Sequence, residues 1–152
     1  MSKSSLRVAL ATIILCPFAG WAADINDTTM ADEAGKEWLA HGRTYSEQRF
    51  SPLTSINDKN VAKLGLDWYT PMPEAVGLAA TPLVANGVMY FTGSRNIVRA
   101  VDAKFGALLW QYIPERELDR SRVSFLHGSR GVGLWKDKVY VATASGRLIA
   151  LD

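Results

Sequence analysis

The sequence predicts an all-β fold, a partial β-propeller of about two four-stranded blades that follows a short helical lead-in. Three observations support this prediction. Asn86-Gly87 joins two β-rich runs, which is the strongest short-range signal for a hairpin. A copy of the same strand pattern follows 50 residues later. Beyond Gly65 the residues also change from turn formers and short helical patterns to β-rich runs.

The amino terminus, residues 1–22, is predicted to be a signal peptide. Lys3 and Arg7 form a short basic region, and residues 8–18 form an almost uninterrupted apolar run. Small residues at Gly20 and Ala22 suit cleavage before Ala23. The apolar run is about half of the ~20 residues that a spanning helix needs, so no membrane span is expected after cleavage. The alternative is an uncleaved anchor at the membrane surface.

Removal of this segment changes the charge balance of the chain. The whole sequence has 17 Lys and Arg residues against 15 Asp and Glu, and two of the basic residues lie in the signal. The mature chain is therefore neutral, which gives no electrostatic support for nucleic-acid binding. The single cysteine, Cys16, is also removed, so the exported chain has no disulfide to stabilise it.

The lead-in, residues 23–65, is expected to contain two short helices. Residues 31–41 are predicted to form the first helix, with acidic residues near its positive amino-terminal end. Residues 58–64 are predicted to form the second, with Asn57 as the N-cap and Gly65 ending it.

Four β-rich runs follow the lead-in and predict one antiparallel sheet, and two more predict part of a second sheet. The pattern also allows an outer strand at residues 66–69. The predicted strands span residues 81–85, 88–92, 97–101, 107–112, 139–143 and 148–151.

The repeat aligns residues 87–102 with residues 137–152 without gaps. Tyr90 then matches Tyr140 and Ala100 matches Ala150. A period of roughly 40–50 residues is typical of β-propeller blades, although similar hairpins also occur in β-sandwiches. Propellers need roughly four to eight blades, so residues 66–152 are expected to be an incomplete set of repeats from a truncated chain.

These segments resemble the opening of quinoprotein alcohol dehydrogenases, exported eight-bladed propellers that use pyrroloquinoline quinone (PQQ). The resemblance runs in order through almost the whole mature chain, and corresponds to about the first quarter of such an enzyme. It is carried by Arg49-Phe50-Ser51-Pro52-Leu53, Thr81-Pro82-Leu83-Val84, Ala100-Val101-Asp102, and Gly146-Arg147-Leu148-Ile149-Ala150-Leu151-Asp152.

The resemblance gives Gly106 and Trp110 a structural role in docking neighbouring blades. Glycine permits a tight turn, and the indole is expected to pack between adjacent blades. Trp68 is expected to have the same role in the preceding blade.

The cofactor site that the resemblance implies is degenerate in this sequence. The family commonly has a Glu two residues before the Thr-Pro of the first inner strand, where this sequence has Ala79. The family's adjacent, disulfide-linked cysteines fall on Ser124 and Phe125, and the Asp that follows them falls on Leu126.

Arg130 is the one cofactor contact that the resemblance carries onto this chain. A guanidinium at this position would interact with the quinone oxygens and offset developing negative charge. The alternative is an ion pair with an acidic residue of the preceding loop, such as Glu115. The family's calcium ligands and catalytic Asp lie in blades beyond this sequence, so no catalytic or metal-binding residue is assigned here.

The resemblance implies oxidation of an alcohol by hydride transfer to PQQ, assisted by Ca²⁺, with electrons passing to an acceptor such as a periplasmic cytochrome. We expect no catalysis from this chain alone. The first alternative is a non-catalytic scaffold for binding or assembly that kept the blades, which the substitutions at Ala79, Ser124 and Phe125 favour. The second is a gene fragment.

The signal-peptide prediction is tested by the mass of protein recovered from the periplasm of a Gram-negative host. We expect a chain that begins at Ala23, because a signal peptidase requires small residues at Gly20 and Ala22. Replacing Ala22 with Arg should abolish that product. Recovery of an intact chain from the membrane fraction would instead support the uncleaved anchor.

Overall fold

The computed structural model describes residues 25–73, 77–114, 129–143 and 145–152, and the predicted signal peptide lies outside these ranges. Within them the chain forms one short α-helix and two antiparallel sheets, so the predicted all-β class is confirmed. The elements are α1 (Asp27–Ala31), β1 (Leu83–Ala85), β2 (Val88–Thr92), β3 (Val98–Asp102), β4 (Leu108–Tyr112), β5 (Gly133–Trp135), β6 (Lys138–Ala142) and β7 (Leu148–Leu151).

The first sheet has the spatial order β1-β2-β3-β4, so each strand pairs with its neighbour in sequence. The predicted hairpin at Asn86-Gly87 is confirmed, since Ala85 pairs with Val88 across it. Asn86 and Gly87 have φ values of 50° and 75°, and positive φ at both central residues defines a type I′ turn.

The turn between β2 and β3 has the same left-handed geometry without a glycine at its centre. Arg95 and Asn96 have φ values of 62° and 58°, and the Ile97 amide donates to the Ser94 carbonyl at 3.3 Å. Arginine is an uncommon residue in this conformation, so composition gave no signal for the turn. The predicted strand at residues 97–101 accordingly begins one residue later.

The second sheet contains β5, β6 and β7 in that order, and the sequence predicted only the last two. β5 was missed because it is three residues long and begins with glycine. The β5–β6 turn has Lys136 with φ of 53°, where no Asn or Gly marks the left-handed position.

The 50-residue repeat is present in the strand register of the two sheets. Tyr90 pairs with Ala100 in the first sheet, and Tyr140 pairs with Ala150 in the second. The β2–β3 and β6–β7 hairpins are therefore structural copies of each other.

The two sheets stack so that one face of the first sheet contacts the opposite face of the second. The first sheet turns Val88 and Tyr90 toward the shared core, whereas the second turns Val139 and Val141 toward it. In the repeat, Val139 and Val141 correspond to Met89 and Phe91, which lie on the opposite face of β2. Successive propeller blades stack in this repeated way, so the sheets are two blades of a partial propeller.

The predicted helix at residues 31–41 is wrong, because the only α-helix of the described residues ends at Ala31. Asn26 caps it by accepting from the amides of Thr28 and Thr29. Asp32 then accepts from the Ala34 amide at 2.9 Å, and this local bond competes with helix continuation.

The second predicted helix, residues 58–64, is replaced by a turn and a short 3-10 segment, Val61–Lys63. Asn57 accepts from the Lys59 amide at 3.0 Å and so does cap the turn, but the segment ends before Gly65. No strand forms at residues 66–69, where an outer strand was allowed.

The lead-in joins the two sheets. Trp38 pairs with Val84 by two backbone hydrogen bonds of 3.0 and 2.9 Å, which adds a residue beside β1. The Ile25 carbonyl accepts from the Lys136 amide at 2.8 Å in the β5–β6 turn. Ile25 and Leu39 are buried in the core together with side chains from both sheets.

A buried arginine organises the loop after α1. Arg43 is 4% exposed and donates to the carbonyls of Gly35 and Glu33 at 2.9 and 2.8 Å. It also forms an ion pair with the Glu33 carboxylate at 3.0 Å. Hydrogen bonds from Ser46 and Thr44, aided by the Arg43 charge, hold the pKa of Glu33 below its ordinary value.

Trp68 packs directly on Gly106, a glycine that the docking interpretation associates with Trp110. Gly106 has φ of +69°, and a Cβ atom built on it would lie 2.3 Å from Cε3 of Trp68. The neighbouring Thr70 hydroxyl donates to the Gly106 carbonyl at 2.8 Å. Trp110 lies against the core between the sheets, with its ring centroid 6.1 Å from that of Tyr90.

Gly106→Ala is expected to lower the free energy of unfolding by about 2–4 kcal/mol, because an unfavourable φ adds to a clash with the indole. Gly87→Ala is the matched control, since its φ is +75° but nothing lies within 4 Å of the added Cβ. We expect the control to cost about 1–2 kcal/mol in a urea titration. Equal losses in the two variants would contradict the Trp68 contact.

Glu33→Gln is expected to destabilise the protein at neutral pH and to have progressively less effect as the pH falls. The lowered pKa of Glu33 in the folded state means that its contribution is complete above the unfolded value of about 4.3 and is lost as pH falls through the folded value. Melting temperatures of both proteins between pH 7 and pH 2 test this, with Glu37→Gln as the control. A difference in melting temperature between the wild type and Glu33→Gln that stays constant with pH would contradict this prediction.

Candidate functional site

Three loop segments meet at one end of the first sheet. They are residues 77–82 before β1, the turn between β2 and β3, and residues 129–131 before β5. The Thr81 amide donates to the Arg130 carbonyl at 3.1 Å, and the Ser94 hydroxyl donates to the Gly77 carbonyl at 3.3 Å. This junction brings the predicted cofactor residue, Arg130, to the start of the first inner strand.

Hydrogen bonds hold the backbone of residues 129–131. Besides the Arg130 bond, the Thr92 hydroxyl donates to the Ser129 carbonyl at 3.0 Å. The Ser129 hydroxyl lies 3.0 Å from the Gly131 carbonyl and 3.1 Å from the Thr92 hydroxyl oxygen, and its one proton serves either acceptor. The backbone on both sides of Arg130 is therefore fixed.

Gly131 adds a close backbone approach to this loop. Its φ is +144°, and a Cβ atom built on it would lie 3.2 Å from the Thr81 carbonyl oxygen. A side chain at this position would press on the segment that leads into β1, so glycine is favoured there.

The backbone of Arg130 is fixed, but the residue is exposed to solvent. Ala79 is also exposed, two residues before Thr81, whose amide contacts the Arg130 loop. The other positions of the predicted site, Ser124, Phe125 and Leu126, lie outside the described residues. Glu115, the alternative partner of Arg130, lies outside them as well.

The chemistry of this junction suits an anionic ligand. Among the described residues of the predicted site, the Arg130 guanidinium is the charged group, and Ala79 places a methyl group where the resemblance implies a carboxylate. PQQ carries carboxylates and quinone oxygens, which accept the planar donor set of a guanidinium. Arg130 therefore fits PQQ.

Calcium is a different case, because it takes six to eight oxygen ligands. Within the described ranges, no group of three or more His, Cys, Asp or Glu side chains is placed to hold a metal ion. The described residues consequently supply no cluster of carboxylates for Ca²⁺.

An apolar pocket of about 210 Å³ lies between residues 68–72 and 78–82 and the outer face of the first sheet. Met89, Phe91 and Val101 line it, and these match Val139, Val141 and Leu151 of the second sheet, which contact the first sheet. By this correspondence the pocket is a surface for contact between blades, and it adjoins the Arg130 junction, since Leu78, Ala80 and Thr92 line it as well.

Sequence reasoning missed Thr92 and Ser129 as residues that support the site. Their pairing joins positions 37 residues apart, so no local pattern could reveal it. The available signal was weak, since both are simply hydroxyl residues next to the ends of β-rich runs or loops.

The repeated, stacked sheets define this chain as part of a β-propeller, and comparisons with known proteins identify the propeller. Residues 38–152 match the PQQ family described as the glucose/ethanol/alcohol dehydrogenase β-propeller domain. The chain belongs to this family.

Relatives with known names agree with this assignment. The chain is 49% identical to quinohemoprotein alcohol dehydrogenase ADH IIB of Pseudomonas putida over 99% of its own length and 22% of that protein. It is 43% identical to the dehydrogenase subunit of a quinone-dependent alcohol dehydrogenase of Gluconobacter oxydans, over 97% of its length and 20% of that protein.

Solved structures of the family superimpose on the chain. Quinohemoprotein alcohol dehydrogenase ADHIIG from Pseudomonas putida HK5 gives a TM-score of 0.75 at 41% identity, over 88% of this chain and 20% of that structure. Quinohemoprotein alcohol dehydrogenase from Comamonas testosteroni gives a TM-score of 0.73 at 38% identity, over 84% of this chain and 20% of that structure. The chain thus spans about a fifth of the length of the relatives that it matches.

Among the described residues, no helix has the length and apolar character needed to cross a bilayer.

Proposed function

We propose that this chain forms the first blades of an exported PQQ-dependent alcohol dehydrogenase and contributes Arg130 to the cofactor site. The observation that carries the proposal is the junction of residues 77–82 with residues 129–131. There the Arg130 carbonyl accepts from the Thr81 amide at 3.1 Å while the side chain stays exposed. A fixed backbone with an accessible guanidinium is suited to binding an anionic cofactor.

Arg130 would donate hydrogen bonds to oxygens of the cofactor and neutralise part of its negative charge. When bound, PQQ supplies the two-electron oxidant for an alcohol. The remaining cofactor and calcium contacts, together with the general base that removes the hydroxyl proton, are assigned to regions of the enzyme beyond this chain. The chain's own contribution is therefore to bind and orient the cofactor.

The partners and location proposed here follow from the predicted signal and from the names of relatives. Residues 1–22 support export to the periplasm. A relative from Thauera butanivorans, 37% identical over 82% of this chain, is named 1-butanol dehydrogenase (cytochrome c). We accordingly propose an alcohol as substrate and a periplasmic cytochrome as electron acceptor.

A second candidate function is a non-catalytic propeller scaffold. The observation that favours it is the loss of charge and sulfur at the cofactor site, with Ala79, Ser124 and Phe125 where the resemblance implies a Glu and two cysteines. A scaffold would keep the blade packing of Trp68 on Gly106 without any need for Arg130.

Arg130→Ala is expected to weaken PQQ binding by about 10- to 100-fold, the effect of losing charge-assisted hydrogen bonds to an anion. Isothermal titration calorimetry of PQQ into the purified chain measures this, first with EDTA and then with Ca²⁺. Lys104→Ala is the matched control, since it removes one exposed positive charge from the β3–β4 turn.

The control should bind PQQ as tightly as the wild type does. Circular dichroism establishes that each protein is folded before the titration. Folded wild-type protein that binds no PQQ, or variants that lose affinity equally, would contradict the dehydrogenase proposal and favour the scaffold.

A further inference from the structure

We infer that Thr92 and Ser129 are positioning residues for Arg130, so that a pair of hydroxyl groups sets the direction of the cofactor-binding side chain. This inference rests on the proposed function of Arg130 and extends it to two residues that would not touch the cofactor.

Burial shows where the pair is anchored. Thr92 is 2% exposed at the end of β2, a strand that is hydrogen-bonded on both sides within the first sheet. Its hydroxyl donates to the Ser129 carbonyl at 3.0 Å, so the loop is attached to a buried position of the first sheet. Ser129 returns a contact to Thr92 at 3.1 Å.

The position of these bonds relative to Arg130 gives them their effect. The Thr92 bond holds the carbonyl one residue before Arg130, and the Ser129 hydroxyl reaches the carbonyl one residue after it. The backbone sets the direction of the Cα–Cβ bond from which the side chain extends. The Thr92 bond and the Thr81 bond to Arg130, together with the shared Ser129 proton, therefore leave that backbone little freedom to rotate.

The sequence explains why hydroxyl groups are needed here. The resemblance implies a disulfide-linked cysteine pair a few residues before this arginine, and this chain has Ser124 and Phe125 instead. No covalent link therefore ties the loop near Arg130. In the described part of this loop, the hydrogen bond from Thr92 at the end of a buried strand helps to hold it.

The test compares Thr92→Val with Thr92→Ser in the full chain without cofactor, by amide hydrogen exchange. Valine keeps the shape of threonine but cannot donate to Ser129, whereas serine keeps the hydroxyl. We expect exchange at the Thr81 amide to become about tenfold faster in the valine variant and to return to normal in the serine variant. Exchange at Val98 and Ala100 should stay unchanged, because they report the sheet as a whole.

Thr143→Val is the matched control. It removes a threonine hydroxyl from the loop that follows β6, where it bonds to the Arg147 carbonyl at 3.3 Å, away from the Arg130 loop. Ser129→Ala gives a second, independent variant on the opposite partner. Unchanged exchange at Thr81, or equally faster exchange at Thr81, Val98 and Ala100, would overturn the inference.

PQQ titration of the same proteins supplies the second measurement. We expect Thr92→Val to weaken binding by about tenfold and Thr92→Ser to leave it unaltered. A faster Thr81 exchange with unchanged PQQ affinity would overturn the positioning role. If the wild type binds no PQQ while the exchange result holds, the proposed cofactor function fails, and the hydroxyl pair is shown to order the Arg130 loop.

Discussion

The two sheets are held together by one constraint, the packing of the lead-in against both of them. Ile25, Met30 and Leu39 share one buried cluster with strand residues of both sheets. The same segment is hydrogen-bonded to β1 through Trp38 and to the β5–β6 turn through the Ile25 carbonyl. Each sheet buries one apolar face in this shared core, and the lead-in seals one side of it. The loops that carry Arg130 and Thr81 take their relative positions from the sheets joined in this way.

Much of the fold was predictable because the signals were local. Asn86-Gly87 indicated the first hairpin, and the 50-residue repeat predicted that the second sheet copies the first, in which Tyr90 and Tyr140 have equivalent alanine partners. The helix at residues 31–41 failed because long-range contacts overrode a local pattern. Trp38 forms a β-bridge with Val84, and Arg43 donates hydrogen bonds to carbonyls of the loop that replaces the helix. Helical propensity is only a weak tendency when tertiary partners are available.

The candidate site was predictable to the level of a single residue. Sequence resemblance pointed to Arg130, and the structure adds the hydrogen bonds that fix its backbone. The residues that make those bonds could not be found from the sequence, since Thr92 and Ser129 meet only when two blades are stacked. The site is thus a product of the stacking as much as of its own residues. A propeller can in this way change the residues of its cofactor site while the blades that support it stay the same.

The hydrogen bond between Ile25 and Lys136 has a consequence for the order of folding. Its partners lie about 110 residues apart, whereas each β-hairpin closes a loop of only a few residues. Closing a long loop costs more chain entropy than closing a short one, so hairpins form early and distant contacts late. As the polypeptide emerges, the first sheet can assemble from its own hairpins. The amino-terminal segment lacks part of its binding surface until β5 and β6 have formed. Its docking is therefore expected to follow the formation of both sheets.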